Sequence, residues 1–285
     1  MTPNANPASE PLLAIAMIVR NESANLMACL DSCHELADEI VIIDGGSEDD
    51  TIELARRYPK VRVIEHRQWR GFGHQRNIAQ THVKARWVLW LDADERITPE
   101  LAQNIREVIK SQPGGSAVAL PDTLYQVNRL SWVFGRFIRH SGWHPDWVIR
   151  LYPTALTRYS DDTVHEHVLI PPGAKVAKLQ GNLLHFTYRD LQHYLVKSAQ
   201  YAHLWAEQRQ VRGKRASLSQ GVMHALGCFV KMYIVKAGFL DGRQGLLLAL
   251  LSAHSTFAKY ADLWIRHQTD AEDDQPDKPS NKPHP

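Results

Sequence analysis

The sequence predicts an α/β protein in which a mostly parallel sheet is flanked by helices and followed by a helical extension. Up to about residue 110, short apolar runs alternate with helical patterns, which is typical of strands joined by crossover helices. Of the 285 residues, 44% are hydrophobic and 22% are charged. This composition is that of an ordinary globular protein and excludes a collagenous or wholly disordered chain.

The individual elements follow from the apolar periodicity. Strands are predicted at residues 12–19, 40–43, 61–65 and 87–91, and helices at residues 23–33, 49–58, 74–82 and 99–110. Thr98 is the expected N-cap of the last helix, because Pro99 suits the first helical position and Glu100 complements the helix dipole. Cys29 and Cys33 lie four residues apart in the first helix, so reduced core thiols are expected there.

The composition changes twice in the later part of the chain. Residues 113–188 are rich in Gly, Pro, aromatic and His residues, which predicts an irregular region over the mouth of the sheet with a short strand at residues 164–170. Long helical patterns and then a polar, proline-rich stretch follow. The predicted segments are a flexible N-terminus at residues 1–10, a main domain at 11–188, a helical region at 189–267 and a disordered tail at 268–285.

Polar side chains follow the predicted strands, at the edge where ligands bind in an open parallel sheet. Those after the first three strands are Arg20, Asn21 and Glu22, then Asp44, then Arg76 and Asn77. Asp44 precedes two glycines whose missing side chains let a ligand approach the backbone, so its carboxylate could accept hydrogen bonds from a ribose or a base. The alternative is that these residues form a turn and nothing more.

Two carboxylates, Asp92 and Asp94, come directly after the fourth strand. In extended backbone this spacing puts both on one side, where they repel each other unless a cation lies between them. Mg²⁺ is typically held by one or two carboxylates together with substrate phosphates. The alternative, that these residues cap the next helix, is not needed because Thr98 and Pro99 already begin that helix. The pattern therefore indicates a site for a divalent metal and a diphosphate.

Taken in order, these motifs resemble family 2 inverting glycosyltransferases of the GT-A fold. The segments that carry the resemblance are Ile18-Val19-Arg20-Asn21-Glu22, Val41 to Thr51 with Asp44-Gly45-Gly46-Ser47, Gly73-x-x-Arg76-Asn77 and Leu91-Asp92-Ala93-Asp94-Glu95. Three later segments resemble the lipopolysaccharide core β-1,4-glucosyltransferase branch: Val164-His165-Glu166, Leu184-His185-Phe186 and Gly238-Phe239-Leu240-Asp241-Gly242.

The resemblance implies a UDP-sugar donor and a divalent metal, Mg²⁺ or Mn²⁺. It puts Asp44 and the segment from Arg20 to Glu22 near the uridine, and Asp92 and Asp94 at the ribose, the diphosphate and the metal. Arg76 and Asn77 are also assigned to the donor site. Asp94, Asp92 and His185 are the expected metal ligands. For His185 the alternative is a packed core histidine.

An inverting displacement also needs a base that deprotonates the acceptor hydroxyl. Glu166 is the candidate, because it alternates with Val164 and Val168 on one face of the predicted strand. The alternative is an exposed strand glutamate, with Asp146 and Asp162 as the reserve bases.

Aromatic and polar residues around position 145 are the candidates for the acceptor site. Trp143, Asp146 and Arg150 are assigned to it, because aromatic faces suit sugar rings. Trp143 could equally be a core residue. No zinc site is expected from the histidines, because none of them is joined by other ligands at zinc spacing.

The net charge is concentrated in the predicted helical region. Residues 189–267 hold 11 Lys and Arg against 4 Asp and Glu, or +7, whereas the whole chain holds 33 against 31, or +2. Basic side chains interleaved with aromatics in helices indicate an interfacial membrane surface. The alternative is a helical subdomain that covers the sheet. No nucleic acid partner is expected, because no binding motif accompanies the charge.

These observations predict a metal-dependent inverting glycosyltransferase. It would transfer a hexose, with glucose favoured, from a UDP-sugar to an inner-core sugar of a lipid-linked oligosaccharide. The expected location is cytoplasmic and peripheral, on the inner-leaflet surface of the cell membrane. Two other functions stay open: glycosylation of a polyprenyl phosphate or a peptide from the same donor site, and non-catalytic binding of a nucleotide sugar.

Overall fold

The computed structural model describes residues 11–111, 122–162, 166–188 and 190–273. The strands are β1 (Leu13–Val19), β2 (Glu39–Asp44), β3 (Val61–Glu65), β4 (Trp87–Trp90), β5 (Glu95–Ile97), β6 (Thr123–Val133), β7 (Arg136–Phe137), β8 (Asp146–Pro153) and β9 (Lys175–Tyr188). The α-helices are α1 (Ser23–Cys33), α2 (Thr51–Ala55), α3 (Phe72–Thr81), α4 (Pro99–Ser111), α5 (Leu191–Val211), α6 (Leu218–Phe229) and α7 (Gly242–Asp273).

The first four strands form the parallel part of the sheet, in the order β3-β2-β1-β4. Helices α1, α2 and α3 connect them, as the alternating pattern predicts. The predicted α/β class is therefore confirmed. Because all four strands run in the same direction, the residues after β1, β2 and β4 reach the same edge of the sheet.

The strands after β4 make the rest of the sheet, in the order β8-β6-β9-β5, and β8 pairs antiparallel with β4. The expectation of an irregular region at residues 113–188 is thus wrong for β6, β8 and β9, which are long strands. These strands carry polar and charged residues where the site lies, so they lack the continuous apolar runs by which β1 and β4 are recognised.

Apolar layers cover both faces of the parallel strands. Along β1, Leu13 and Ile15 belong to the core cluster that includes Leu30 of α1 and Ile105 of α4. Ala16 lies in the second cluster, with residues of α3 and β4. Because successive strand residues point to opposite faces, one short strand contributes to both layers. The rigid sheet that results is the support on which the loops of the site are held.

Several local predictions are confirmed. Thr98 caps α4, since its Oγ1 accepts a hydrogen bond from Leu101 N at 3.3 Å. Cys29 and Cys33 are buried and free, and a hydrogen bond with Cys33 and burial raise the pKa of the Cys29 thiol. In contrast, the predicted disordered tail is wrong for residues 268–273, because helix α7 runs to Asp273. The predicted flexible N-terminus at residues 1–10 and the rest of the tail lie outside the described residues.

The chain divides into two compact units. The first comprises Met1–Ser131 and Pro145–Thr187, and the second comprises Trp132–His144 and Tyr188–Pro285. Residues 132–144 group with the helices in this division, whereas the predicted main domain at residues 11–188 included them. In the second unit, α6 continues into a π-helical segment at Val230–Val235 and a 3₁₀ turn at Gly238–Asp241.

One helical stretch of the described residues, Leu218–Val235, has the length and composition of a membrane span. It has 18 residues with a mean hydropathy of 1.2, and 6% of it is buried.

Candidate active site

The loops that follow β1 and β2 are joined into one structure at the carboxyl edge of the sheet. Asn21 adopts a left-handed backbone with φ of 56°. Its Oδ1 accepts a hydrogen bond from Glu48 N at 2.8 Å, and its own N–H donates to Ser47 Oγ at 2.9 Å. Glu22 N donates to Thr51 Oγ1 at 2.8 Å. Asn21 and Glu22, which we expected at the donor, therefore connect this loop to the one that follows β2.

Asp44 is buried and organises the turn that follows β2. Its Oδ2 accepts hydrogen bonds from Gly46 N at 2.8 Å and Ser47 N at 2.9 Å. This is the turn geometry that the sequence left as the alternative role. The exposed Arg20 lies beside the turn, with its Cβ 3.7 Å from the position a Cβ would take at Gly45. A nucleotide that approached this edge would meet glycine backbone and a guanidinium group.

Asp92 is held between two buried arginines. Its Oδ1 accepts a hydrogen bond from Arg76 Nη2 at 2.7 Å, and its Oδ2 accepts one from Arg150 Nη2 at 2.6 Å. Arg150 Nη2 also donates to Oε1 of the buried Glu95 at 2.8 Å. Glu95 in turn accepts a hydrogen bond from Asp92 N through Oε2 at 2.9 Å. We call Arg76, Asp92, Glu95 and Arg150 the charged cluster.

The electrostatics of the charged cluster follow from these contacts. Burial alone would raise the pKa of Asp92, but the charges of Arg150 and Arg76 outweigh it and hold that pKa well below its usual range. Burial raises the pKa of Glu95, against the opposing charge of Arg150. Asp92 is therefore an anion over the whole ordinary pH range, and its charge is matched by the guanidinium groups on either side.

Arg76 is fixed by aromatic rings as well as by charge. Its Cζ lies 5.3 Å from the centre of the Trp90 ring and 5.1 Å from that of Tyr159. Its Nε and Nη1 are buried and have no hydrogen-bond partner among the described residues. Stacking on two rings holds the guanidinium group in one orientation and compensates part of the cost of its burial.

Asp94 and His185 form a second pair next to the charged cluster. Asp94 Oδ2 lies 3.4 Å from His185 Nε2, and both side chains are about one-fifth exposed, at 21% and 18%. The other ring nitrogen, Nδ1, lies 3.0 Å from Thr187 Oγ1 and 3.4 Å from Ser131 Oγ. If the ring proton is on Nδ1 and is donated to Thr187 Oγ1, Nε2 has its lone pair free for a cation held between it and Asp94.

Asp94 and His185 offer two donor atoms of the kinds that divalent metals bind, a carboxylate oxygen and an imidazole nitrogen 3.4 Å apart. The second ring nitrogen lies against hydroxyl groups, and metal-binding histidines usually have such a partner. Within the described ranges, no three His, Cys, Asp or Glu side chains group as a metal site. Asp92 therefore does not complete the expected ligand set with Asp94 and His185, because its two oxygens are taken by arginines. Diphosphate oxygens and water would have to supply the other ligands.

Glu166 does not lie on a regular strand. The predicted strand at residues 164–170 is wrong for its described part, where Val168 forms only an isolated bridge with Tyr159; residues 163–165 lie outside the described residues. Glu166 is half-buried beside α3, and its Cβ lies 3.2 Å from the position of a Cβ at Gly73. The glycine of the Gly73-x-x-Arg76 motif thus allows the segment with Glu166 to lie against the first turn of α3.

Asn77 has a different position from the one expected. Its Nδ2 donates to Tyr159 O and to Asp161 Oδ1, both at 3.0 Å, and its Oδ1 accepts from Tyr159 N at 3.0 Å. The side chain is therefore used to hold the segment that carries Tyr159, one of the two rings on Arg76. Asn77 supports the site and does not offer a free amide to the donor.

The three residues predicted for the acceptor each have other neighbours within their own compact unit. Arg150 is buried in the charged cluster. Asp146 is bound by Arg129, whose Nε and Nη2 lie 2.8 and 2.7 Å from its Oδ2. Trp143 belongs to the second unit, where its ring centre lies 6.4 Å from that of Tyr188. Asp162, the other reserve base, is exposed, with its Oδ2 3.7 Å from His167 Nδ1.

From the sequence we did not assign a role to Glu95, and we placed Arg150 at the acceptor and not in the charged cluster. The sequence contains an indication of the observed position of each residue. Arg150 interrupts the apolar run of β8, and a lone arginine in such a run needs a buried carboxylate to balance its charge. Glu95 lies in the same short motif as Asp92 and Asp94. The geometry that joins them depends on β8 pairing with β4 and on β5 pairing with β9.

The chain is similar to known proteins in family, in sequence and in structure. Residues 14–169 match the family described as "Glycosyl transferase family 2". The chain is 28% identical over 267 residues to lipopolysaccharide core biosynthesis glycosyltransferase LpsC of Rhizobium meliloti strain 1021, covering 90% of this chain and 93% of LpsC. It is 24% identical over 262 residues to the uncharacterized glycosyltransferase RP128 of Rickettsia prowazekii, covering 88% and 87% of the two chains.

The chain is also similar to solved structures, at low sequence identity. S. aureus TarS 1-349 in complex with UDP is 14% identical with a TM-score of 0.46, covering 91% of this chain and 92% of that one. The mannosyltransferase PcManGT from Pyrobaculum calidifontis in complex with GDP-Man and Mn²⁺ is 14% identical with a TM-score of 0.46, covering 94% and 81%.

Proposed function

Because this chain belongs to glycosyl transferase family 2, we propose that it transfers a hexose, with glucose as the first candidate, from a UDP-sugar to an inner-core sugar of lipopolysaccharide or of a similar lipid-linked oligosaccharide. Transfer inverts the anomeric carbon. The similarity to LpsC, which extends over 93% of that protein, supports this class of acceptor.

The observation that carries the proposal is the pair of Asp94 and His185, 3.4 Å apart, beside the charged cluster. The pair offers metal ligands at the carboxyl edge of the sheet, and the cluster supplies fixed guanidinium groups next to it. Groups that are already oriented need no reorganisation when charge develops on a leaving diphosphate, so they can stabilise that charge strongly. A divalent cation bound by Asp94 and His185 would act as a Lewis acid for the same oxygens.

The proposed reaction gives separate roles to the donor loops, to Glu166 and to Asp92. The loops that hold Arg20 and Asp44 receive the uridine diphosphate. Glu166 takes the proton of the acceptor hydroxyl while that oxygen bonds to the anomeric carbon on the face opposite the diphosphate. The bond from the anomeric carbon to the phosphate oxygen breaks, and UDP keeps the electron pair. Asp92 is a positioning residue, because it acts by holding Arg76 and Arg150.

The enzyme is expected to work in the cytoplasm at the inner face of the cell membrane, where a lipid-linked acceptor is exposed. The net charge of +7 on residues 189–267 supports a peripheral attachment to anionic lipid.

A panel of nucleotide sugars tests this function. The full chain is incubated with UDP-glucose, UDP-galactose, UDP-GlcNAc or GDP-mannose, with Mg²⁺ or Mn²⁺, and thermal stabilisation and sugar release are measured. Stabilisation by a UDP-sugar and transfer to lipopolysaccharide core oligosaccharide are expected. Transfer to a polyprenyl phosphate or a peptide alone would correct the acceptor, and donor binding without turnover would show a binding protein. Absence of binding to every nucleotide sugar would contradict the proposal.

A further inference from the structure

Helix α6 and the turns after it carry large apolar side chains that face solvent. Within Leu218–Val235 only 6% of the stretch is buried. Six large side chains in this part of the second unit are each at least 50% exposed, and we call them the apolar edge: Met223, Leu226, Ile234, Val235, Phe239 and Leu240. So many large apolar side chains exposed within 18 residues of chain are uncommon on soluble monomers and indicate an interaction surface.

The part of the apolar edge on α6, Met223 and Leu226, lies on the side of that helix opposite to α7. Gly221 and His224 face α7, since a Cβ at Gly221 would lie 3.2 Å from Phe257 and the His224 ring is stacked on Tyr260 at 4.6 Å. At 3.6 residues per turn, Met223 and Leu226 fall on the opposite face. Helix α7 therefore covers one side of α6 and leaves the apolar stripe uncovered.

The tip of the apolar edge is built rigidly. Phe239 and Leu240, 50% and 53% exposed, lie in the 3₁₀ turn Gly238–Asp241. The buried Asp241 side chain fastens this turn, because it accepts hydrogen bonds from Arg139 N at 3.0 Å and His140 N at 2.9 Å. The turn also lies so close to α7 that a Cβ at Gly245 would be 1.9 Å from Gly238 O. Phe239 and Leu240 are thus held outward, so little conformational entropy is lost when they bind.

The charges around the apolar edge have a single sign. Lys231, Lys236 and Arg243 are exposed, and Asp241, the one acidic residue between positions 208 and 261, is buried. Long basic side chains can extend along an apolar surface to reach anionic groups above it. In a two-fold dimer of this chain, the apolar edge of one copy would contact the apolar edge of the other, and the basic side chains of the two copies would repel one another. The single positive charge sign therefore favours an anionic surface as the partner over a second copy of the chain.

From these features we propose that the apolar edge inserts into the surface of a bilayer that contains anionic lipid. Phe239, Leu240 and the stripe on α6 enter the boundary between headgroups and acyl chains, and Lys231, Lys236 and Arg243 bind lipid phosphates. Helix α6 lies in the plane of the membrane without crossing it, because α7 occupies its other face. This inference extends the proposed function, and it rests on that function only for the location of the acceptor.

Vesicle binding of the full chain tests the inference. Co-sedimentation is measured with vesicles of phosphatidylethanolamine and phosphatidylglycerol and with vesicles of phosphatidylcholine alone. Binding to the anionic vesicles is expected, and raising NaCl from about 0.05 M to about 0.5 M should weaken it. The double variant Phe239→Ser and Leu240→Ser should lower the partition coefficient at least about tenfold. Lys231→Gln with Lys236→Gln should lower it about tenfold at low salt.

A matched control is the variant Ile170→Ser, which removes an exposed apolar side chain, 54% accessible, from the first unit. It should bind vesicles as the wild type does. Thermal unfolding and UDP-sugar binding of each variant are measured without vesicles, so that failure of the donor site is distinguished from failure of membrane binding. Unchanged vesicle binding of the Phe239 and Leu240 variant would overturn the inference. The inference would also be overturned if the wild type were a dimer that binds no vesicles and if the Phe239 and Leu240 variant were a monomer.

Discussion

Asp94 Oδ2 lies 3.4 Å from His185 Nε2, although the two residues are far apart in the sequence. The contact follows from the antiparallel pairing of β5 with β9, in which Glu95 is opposite His185 and Phe186 N donates to Asp94 O at 2.8 Å. A backbone ladder therefore fixes the distance between the two side chains. Such rigidity suits a metal site, whose ligands must be held at a defined separation.

The variant Asp94→Ala is expected to lower kcat for sugar transfer at least about 1000-fold, because it removes one of two protein ligands of the cation. Thermal stabilisation by Mn²⁺ with UDP should be lost, while unfolding without metal is unchanged. The control is Asp122→Ala, an exposed carboxylate bound to Lys175 at 3.3 Å. Normal turnover by Asp94→Ala would contradict the assignment.

The variant Glu166→Gln is expected to bind the UDP-sugar normally and to lose at least about 100-fold in transfer, because glutamine cannot accept the proton. Donor affinity is measured by calorimetry and transfer by UDP release. Glu107→Gln, an exposed change in α4, is the control. If Glu166→Gln stays active, the base must be sought at Asp162 or Asp146.

The variant Gly73→Ala is expected to destabilise the fold by about 1–3 kcal/mol, because overpacking displaces the backbone. The added Cβ would lie 2.1 Å from Ser160 O and 3.2 Å from the Cβ of Glu166, so transfer should fall as well. Gly227→Ala is the matched control, since nothing lies within 4 Å of its added Cβ. Urea unfolding measures the stability of the two variants, and UDP release measures their transfer activity. Equal effects of the two changes would show that the close approach at Gly73 is unimportant.

The variant Arg150→Met is expected to lower the free energy of unfolding by about 3–5 kcal/mol, because Glu95 and Asp92 lose the guanidinium that balances them. Arg158→Met should change it by less than about 0.5 kcal/mol, since the ion pair of Arg158 with Asp161 is exposed. Chemical denaturation compares the two variants. A loss at Arg150 no larger than at Arg158 would mean that the charged cluster does not hold this part of the sheet together.

Asp49 supplies a pH-dependent prediction. Burial alone would raise its pKa, but hydrogen bonds from Thr51 and Ser23 outweigh it and lower the pKa from 3.8 to about 2. A lowered folded-state pKa stabilises the fold above the unfolded value, and this contribution is lost as the pH falls through the folded value. Because Asp49 is exposed, we expect Asp49→Asn to cost only about 0.5–1 kcal/mol near neutral pH.

The measurement for Asp49 is urea unfolding of both proteins between pH 7 and pH 2. The difference in stability should be constant down to about pH 5 and should shrink below about pH 4. A difference that does not depend on pH would mean that the charge of Asp49 contributes nothing.

The sequence by itself determined the class of fold and showed that the polar residues after β1, β2 and β4 lie at one edge of the sheet. Apolar runs such as that of β1 are local, and the carboxyl ends of parallel strands coincide whatever the details of packing. For this reason Asp44, Asp92 and Asp94 could be located from their places after the strands. Thr98 could be assigned as a cap for the same reason, since capping involves only neighbouring residues.

Only the tertiary structure decided how the site residues share their roles. Asp92 and Asp94 have different partners. Strand β8 places Arg150 against Asp92, whereas the pairing of β5 with β9 places His185 against Asp94. The contacts of Glu166 and Asn77 likewise depend on where the segment from Tyr159 onward packs against α3. These contacts join residues that are distant in the chain, and the pairing of strands determines them. Strands that carry polar residues have no continuous apolar run, so their pairing cannot be predicted from the local sequence.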